Sequence, residues 1–83
     1  MHVEGMVIEL LQELSGLKHI ATKDSLQADL GLDSLMMVTL LIELEDVFHI
    51  QLAESDMNPF DLNTVADVIT LVEKYEYEKS EES

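Results

Sequence analysis

Apolar residues recur along this chain at the three- and four-residue spacing that is typical of amphipathic helices. The first such stretch covers residues 3–14, and Gly16 behind it suits the left-handed residue that often ends a helix. The second, residues 34–49, lacks Gly and Pro up to Phe48 and consists mostly of strong helix formers. A third begins at Asn63, where Thr64 and Asp67 resemble a capping box. We therefore predict three principal helices.

The connections differ in length and character. Residues 54–60 favour a short additional helix, whereas residues 17–33 form a long link that must pack on the helices, because structureless loops of that length are uncommon in compact domains. We expect an all-α fold, a small four-helix bundle with three principal helices, one short helix and a long first loop. We place the bundle at residues 1–75 and an acidic flexible tail at residues 76–83. The expected anchors of the long loop are its larger apolar residues: Ile20, Leu26, Leu30 and Leu32.

The second helix carries more apolar surface than one core face needs. One row has the spacing of a core stripe, and a second row is rotated from it by roughly a quarter to a third of a turn or more. Deep burial of both rows is difficult in a chain of 83 residues, so we favour partner contact over core packing for the second row. The core row comprises Met37, Leu40, Leu41, Leu44 and Phe48, the second row Leu35, Val38 and Ile42, and the solvated face Thr39, Glu43 and Asp46.

The charge of the chain narrows the classes of partner. There are 18 acidic residues against four lysines and no arginine, and the net charge is −14. This excess disfavours nucleic acids and anionic membranes, and it has two interpretations: solubility alone, or a surface for basic partners. The absence of Cys excludes disulfides, and no apolar run reaches the length of a membrane span. With no basic residue ahead of the first helix to suggest a secretory signal, we expect a cytoplasmic protein.

Candidate chemistry is concentrated in residues 29–35, which read Asp-Leu-Gly-Leu-Asp-Ser-Leu. Gly31 permits a tight turn, and Asp33 and Ser34 are both good helix starters. Ser34 does not fit a hydrolytic nucleophile, because His49 lies about 22 Å along the same helix and no Gly-x-Ser-x-Gly elbow is present. We therefore predict that the chain is not an enzyme. Two interpretations of Ser34 remain equal on these residues alone: a helix N-cap, or a serine that another enzyme modifies.

The segment also resembles the attachment motif of acyl and peptidyl carrier proteins, and weaker similarity covers about residues 3–75. The resemblance implies that a transferase attaches 4′-phosphopantetheine from coenzyme A to Ser34, with Asp33 as part of the motif that the transferase reads. It further implies a monomer without metal that meets a phosphopantetheinyl transferase, an acyl- or aminoacyl-loading enzyme, and synthase or condensing enzymes. The partner surface implied on the second helix comprises Leu35, Met36, Val38, Thr39, Ile42, Glu45 and Asp46.

The sequence departs from one branch of that family. Carriers of primary fatty-acid synthesis generally have acids at the positions of Met36 and Thr39, and often at that of Val47. We therefore expect a carrier for a polyketide, nonribosomal peptide or similar secondary-metabolite pathway, and Met1 with the short tail suggests a free-standing one. The alternatives are a carrier of fatty-acid synthesis and a non-enzymatic module that binds basic amphipathic helices.

Overall fold

The computed structural model describes residues 2–82, except for the side chains of Pro59 and of residues 79–82. Three α-helices account for most of these residues, and the helical fold predicted from the sequence is confirmed. The only β pairing in the described part is an isolated antiparallel bridge between Ser25 and Thr64. The elements are α1 (Val3–Ser15), α2 (Ser34–Phe48), two 3₁₀ turns (Glu54–Asp56 and Pro59–Asp61) and α3 (Val65–Glu82).

The short helix expected over residues 54–60 takes a different form. Two single 3₁₀ turns occupy this segment, and residues 57 and 58 separate them. Pro59 biases the residue before it away from the helical region. The Asn58 side chain accepts a hydrogen bond from the Phe60 N–H at 3.0 Å, which begins a new turn instead of continuing the first.

A residue with a left-handed backbone ends each of α1 and α2. Gly16 is left-handed (φ 77°), and its N–H donates to the Gln12 carbonyl, as expected for a helix that ends at glycine. His49 ends α2 in the same region of backbone space, with φ 54°, although it carries a side chain. The last residue of α2 is Phe48, one residue before the end predicted from the sequence.

Two independent sets of contacts fasten the start of α3. The predicted capping box is formed: Asp67 accepts hydrogen bonds from the N–H groups of Asn63 and Thr64, and the Thr64 hydroxyl accepts one from the Asp67 N–H. These hydrogen bonds lower the pKa of the Asp67 carboxyl. The long loop also supplies carbonyl acceptors, since the Val65 N–H donates to Asp24 at 3.0 Å. The loop therefore completes the bundle by capping α3.

The core lies between the three helices and beneath the long loop. Every residue of the predicted core row on α2 is buried, and Leu26, Leu30 and Leu32 of the loop are buried with them, while Ile20 packs at the edge. Within the described residues, no polar or charged side chain belongs to this buried set.

The last helix extends beyond the predicted bundle boundary. Helix α3 continues past residue 75 to Glu82, and residue 83 lies outside the described part. The division into a bundle and a flexible tail therefore stays a prediction. In residues 2–82, no helix combines the length and the hydrophobicity that a bilayer span requires.

Candidate functional site

The loop that precedes α2 places an aspartate at the helix start. Gly31 has a left-handed backbone (φ 72°), and Asp33 is extended (φ −86°, ψ −179°). The Asp33 carboxylate accepts a hydrogen bond from the Met36 N–H at 2.8 Å, and its carbonyl accepts one from the Met37 N–H at 2.9 Å. Asp33 is therefore the N-cap of α2.

Ser34 follows as the first residue of the helix, and its side chain is exposed. Its hydroxyl makes no hydrogen bond within the part of the chain whose side chains the structure describes. Because Asp33 already caps the helix, the fold does not use this hydroxyl for capping. Because the N-cap is Asp33 and Ser34 follows it, the Ser34 hydroxyl oxygen is both accessible and free of any capping role.

The surroundings of Ser34 suit a phosphate group. The first N–H groups of an α-helix have no intrahelical acceptor, and those of Ser34 and Leu35 lie at the positive end of the α2 dipole. An anionic phosphodiester on the Ser34 oxygen would be stabilised there. The Asp33 charge opposes this effect, but one of its oxygens already accepts the Met36 N–H. The residues present therefore fit a covalently attached phosphopantetheine.

The second apolar row of α2 extends from this site along the exposed side of the helix. Leu35 is 73% exposed, Val38 42% and Ile42 51%, so this row does not pack into the core. Met36 is half-buried against the core, and the half-buried Thr39 donates its hydroxyl to the Leu35 carbonyl at 3.1 Å. A solvent-exposed apolar strip, formed by Leu35, Val38 and Ile42, therefore begins beside Ser34.

The two acidic residues predicted for partner contact differ in their surroundings. The Glu45 carboxylate accepts a hydrogen bond from the Leu52 N–H at 2.9 Å and holds the segment that leaves α2. Asp46 is exposed. Glu45 thus has a structural role within the chain, and partner contact by either residue stays a prediction.

The structure adds Phe60 to the exposed apolar residues near α2. Phe60 is 73% exposed on the second 3₁₀ turn, and this turn packs against α2. The sequence placed residue 60 inside a short helix, where the direction of its side chain could not be judged. The available sequence signal was an aromatic residue directly after Pro59.

A polar cluster joins the first 3₁₀ turn to α3. The Tyr75 hydroxyl accepts a hydrogen bond from the Ala53 N–H at 2.7 Å and donates one to the Asp56 carboxylate at 2.5 Å. Lys74 contacts the same carboxylate at 2.9 Å. The hydrogen bonds from Tyr75 and Lys74 lower the pKa of Asp56, whereas burial raises the pKa of Tyr75. This cluster positions the segment between α2 and α3.

Comparisons with known proteins match most of the chain. The family model described as "Phosphopantetheine attachment site" matches residues 6–72. The structure also resembles a solved structure assigned as an acyl carrier protein of Mycobacterium tuberculosis, with a TM-score of 0.78 and 32% identity. That match covers 88% of this chain and 97% of the other.

Curated relatives come from more than one kind of protein. The meromycolate extension acyl carrier protein of Mycobacterium leprae is 32% identical over 77 residues, which are 90% of this chain and 65% of that protein. This chain therefore spans slightly less than two thirds of that relative's length. A non-reducing polyketide synthase of Emericella nidulans is 45% identical over 64 residues, which are 76% of this chain but 2% of the synthase.

Proposed function

The chain belongs to the phosphopantetheine attachment-site family, and from this membership we propose that it is an acyl carrier protein with its 4′-phosphopantetheine arm on Ser34. In this proposal it moves thioester-bound acyl intermediates between biosynthetic enzymes. The attached arm supplies a terminal thiol that holds the acyl group as a thioester. Domains of this family carry the arm covalently and contribute no catalytic group, so the chain's own task is to hold and present the arm.

The observation that carries the assignment of Ser34 is its uncommitted hydroxyl at the first position of α2. In the modification step, the Ser34 oxygen forms a bond to phosphorus, and the bond from that phosphorus to the nucleotide part of coenzyme A breaks. The nucleotide leaves, and the hydroxyl proton passes to a base of the transferase. The chain offers an accessible oxygen, and the free N–H groups of Ser34 and Leu35 favour the phosphodiester that forms. Asp33 fixes the helix start and presents one acidic group beside the reacting oxygen.

The exposed row formed by Leu35, Val38 and Ile42 supports a partner surface beside the arm. In this proposal, a phosphopantetheinyl transferase, a loading enzyme and condensing enzymes contact the row in turn. Tethering the acyl group to the carrier raises its effective concentration at each partner's active site, provided that docking brings the arm within reach. Met36, Thr39 and Asp46 lie on the same helix and extend the proposed surface.

Intact-mass measurement tests the assignment. The chain is incubated with coenzyme A and a broad-specificity phosphopantetheinyl transferase, and we expect a mass gain of one arm. Ser34→Ala should abolish the gain, and Ser55→Ala, at an exposed serine in the first 3₁₀ turn, should retain it. A wild-type chain that several such transferases leave unmodified would instead favour the module that binds basic amphipathic helices.

For the pathway, we propose polyketide, nonribosomal peptide or similar secondary-metabolite biosynthesis. The neutral residues Met36 and Thr39 beside the site support this, as does the similarity to a fungal polyketide synthase. A second candidate is chain extension in fatty-acid or related lipid synthesis, which the similarity to mycobacterial meromycolate carriers favours. Loading rates with a fatty-acid malonyl transferase and with polyketide or nonribosomal loading enzymes distinguish the two. Efficient loading by the fatty-acid enzyme alone would contradict the first assignment.

A further inference from the structure

A groove of about 210 Å³ lies between α1 and α2, apart from the Ser34 site. Its apolar lining comprises Met6, Leu10 and Val47, and Glu9 and Glu13 place carboxylates along its α1 side. Val47 follows Ser34 by 13 residues, which corresponds to roughly 20 Å along the helix axis. An apolar cavity of about 150 Å³ can hold benzene. The groove therefore has room for one aromatic or branched aliphatic side chain.

The two carboxylates beside the groove are placed unfavourably for the stability of α1. Glu9 and Glu13 are four residues apart on one helix, a spacing at which like charges repel. Glu13 also lies in the last turn of α1, where the helix dipole disfavours a negative charge. Both are exposed, and neither makes an ion pair or side-chain hydrogen bond with any residue whose side chain the structure describes. Helices α1 and α2 contain no Lys or Arg that could neutralise them.

We propose that this groove docks a basic amphipathic segment of a partner protein. One apolar side chain of the segment enters the groove, and Lys or Arg side chains beside it pair with Glu9 and Glu13. Such a partner accounts for the apolar floor and the acidic side together, because it would bury the first and pair with the second. This surface goes beyond the proposed role of Ser34 and does not depend on it.

Charge argues against two other occupants. A second copy of this chain also carries a net charge of −14 and offers only four lysines, of which Lys74 pairs with Asp56. An uncharged acyl chain could fill the apolar floor, but it offers no group that would interact with the two carboxylates beside it. A cationic protein segment satisfies both parts of the groove.

The test uses the full chain and a synthetic probe, an amphipathic helical peptide with one Trp flanked by Lys four residues before and after it. NMR titration of the ¹⁵N-labelled chain at about 0.15 M salt, where distant surface charges are screened, maps the contact and gives its affinity. We expect shifts centred on residues 6–13 and on Val47. Glu9→Gln with Glu13→Gln should weaken binding about fivefold or more. The control pair Glu54→Gln with Glu73→Gln, which removes equal charge from exposed positions outside the groove, should change it by about twofold or less.

Four results would overturn the proposal. Equal weakening by both pairs of substitutions would indicate general attraction to an acidic protein. Shifts centred on residues 34–42 would place the peptide on the Ser34 surface. Groove shifts that appear when Ser34 is loaded with an acyl group, and not with the peptide, would identify the acyl chain as the occupant. A lower melting temperature of the Glu9→Gln, Glu13→Gln variant would show that the two carboxylates support the fold.

Discussion

Replacing Tyr75 by Phe tests how the segment between α2 and α3 is held. The substitution keeps the ring and removes the hydroxyl, which accepts from the Ala53 N–H at 2.7 Å and donates to Asp56 at 2.5 Å. A hydrogen bond to a charged group contributes about 1.5–3 kcal/mol and a neutral one about 1 kcal/mol. Ala53 is exposed, so water can replace the hydroxyl as acceptor for the Ala53 N–H. Asp56 retains its ion pair with Lys74. We therefore expect the unfolding free energy to fall by about 1–3 kcal/mol.

The size of this loss makes it measurable. A chain of this length has a total stability of roughly 4–12 kcal/mol, and a change of about 1 kcal/mol moves the melting temperature by about 4–8 °C. Urea unfolding followed by circular dichroism should show a lower midpoint with an unchanged slope. Asp56→Asn and the double variant complete a cycle that isolates the pairwise contribution. A Tyr75→Phe variant within about 0.3 kcal/mol of the wild type, or additive single effects, would refute the reasoning.

The same cluster predicts a pH dependence. The hydrogen bond from Tyr75 and that from Lys74 lower the pKa of Asp56 in the folded state. The unfolded chain then binds a proton more readily, so this stabilisation is present above about pH 4 and is lost as the pH falls through the folded-state pKa. The loss below about pH 4 should be smaller in Tyr75→Phe, because the largest cause of the lowered pKa is gone. Burial raises the pKa of the Tyr75 hydroxyl in the folded state. The contribution of this hydroxyl to the unfolding free energy is therefore lost only as the pH rises above about 10.

Two further predictions concern the ends of α2. Asp33→Ala should lower stability by about 1 kcal/mol through loss of the cap, whereas Asp33→Asn should retain it. If Asp33 also serves transferase recognition, both variants should gain the arm more slowly, and an Asp33→Asn variant that loads at the wild-type rate would contradict that role. His49→Gly should raise stability by about 0.5–1 kcal/mol in urea unfolding, because the left-handed backbone at φ 54° strains a residue with a side chain. An unchanged or lower urea midpoint would mean that the His49 side chain makes a compensating contribution.

The principal helices could be predicted from the sequence because their signals are local. Apolar residues three and four apart define the core row of α2, which is buried throughout, and the Thr64–Asp67 capping box lies within one helical turn. The exposure of Leu35, Val38 and Ile42 could also be anticipated, since a small bundle cannot bury every row of one helix. The motif around Ser34 was likewise visible in the order of residues.

Tertiary structure decided the features that depend on backbone geometry or on distant residues. Asp33 and Ser34 are both suitable N-caps, and only the extended backbone at Asp33 assigns the cap to it and leaves the Ser34 hydroxyl uncommitted. The two 3₁₀ turns arise where Asn58 and Pro59 interrupt a segment that composition alone suggested to be helical. Asp56 and Tyr75 are 19 residues apart, and Glu9 and Val47 lie on different helices, so no local periodicity could bring either pair together. Local spacing sets which residues form helices, whereas the packing of those helices determines which polar groups meet and which remain available to a partner.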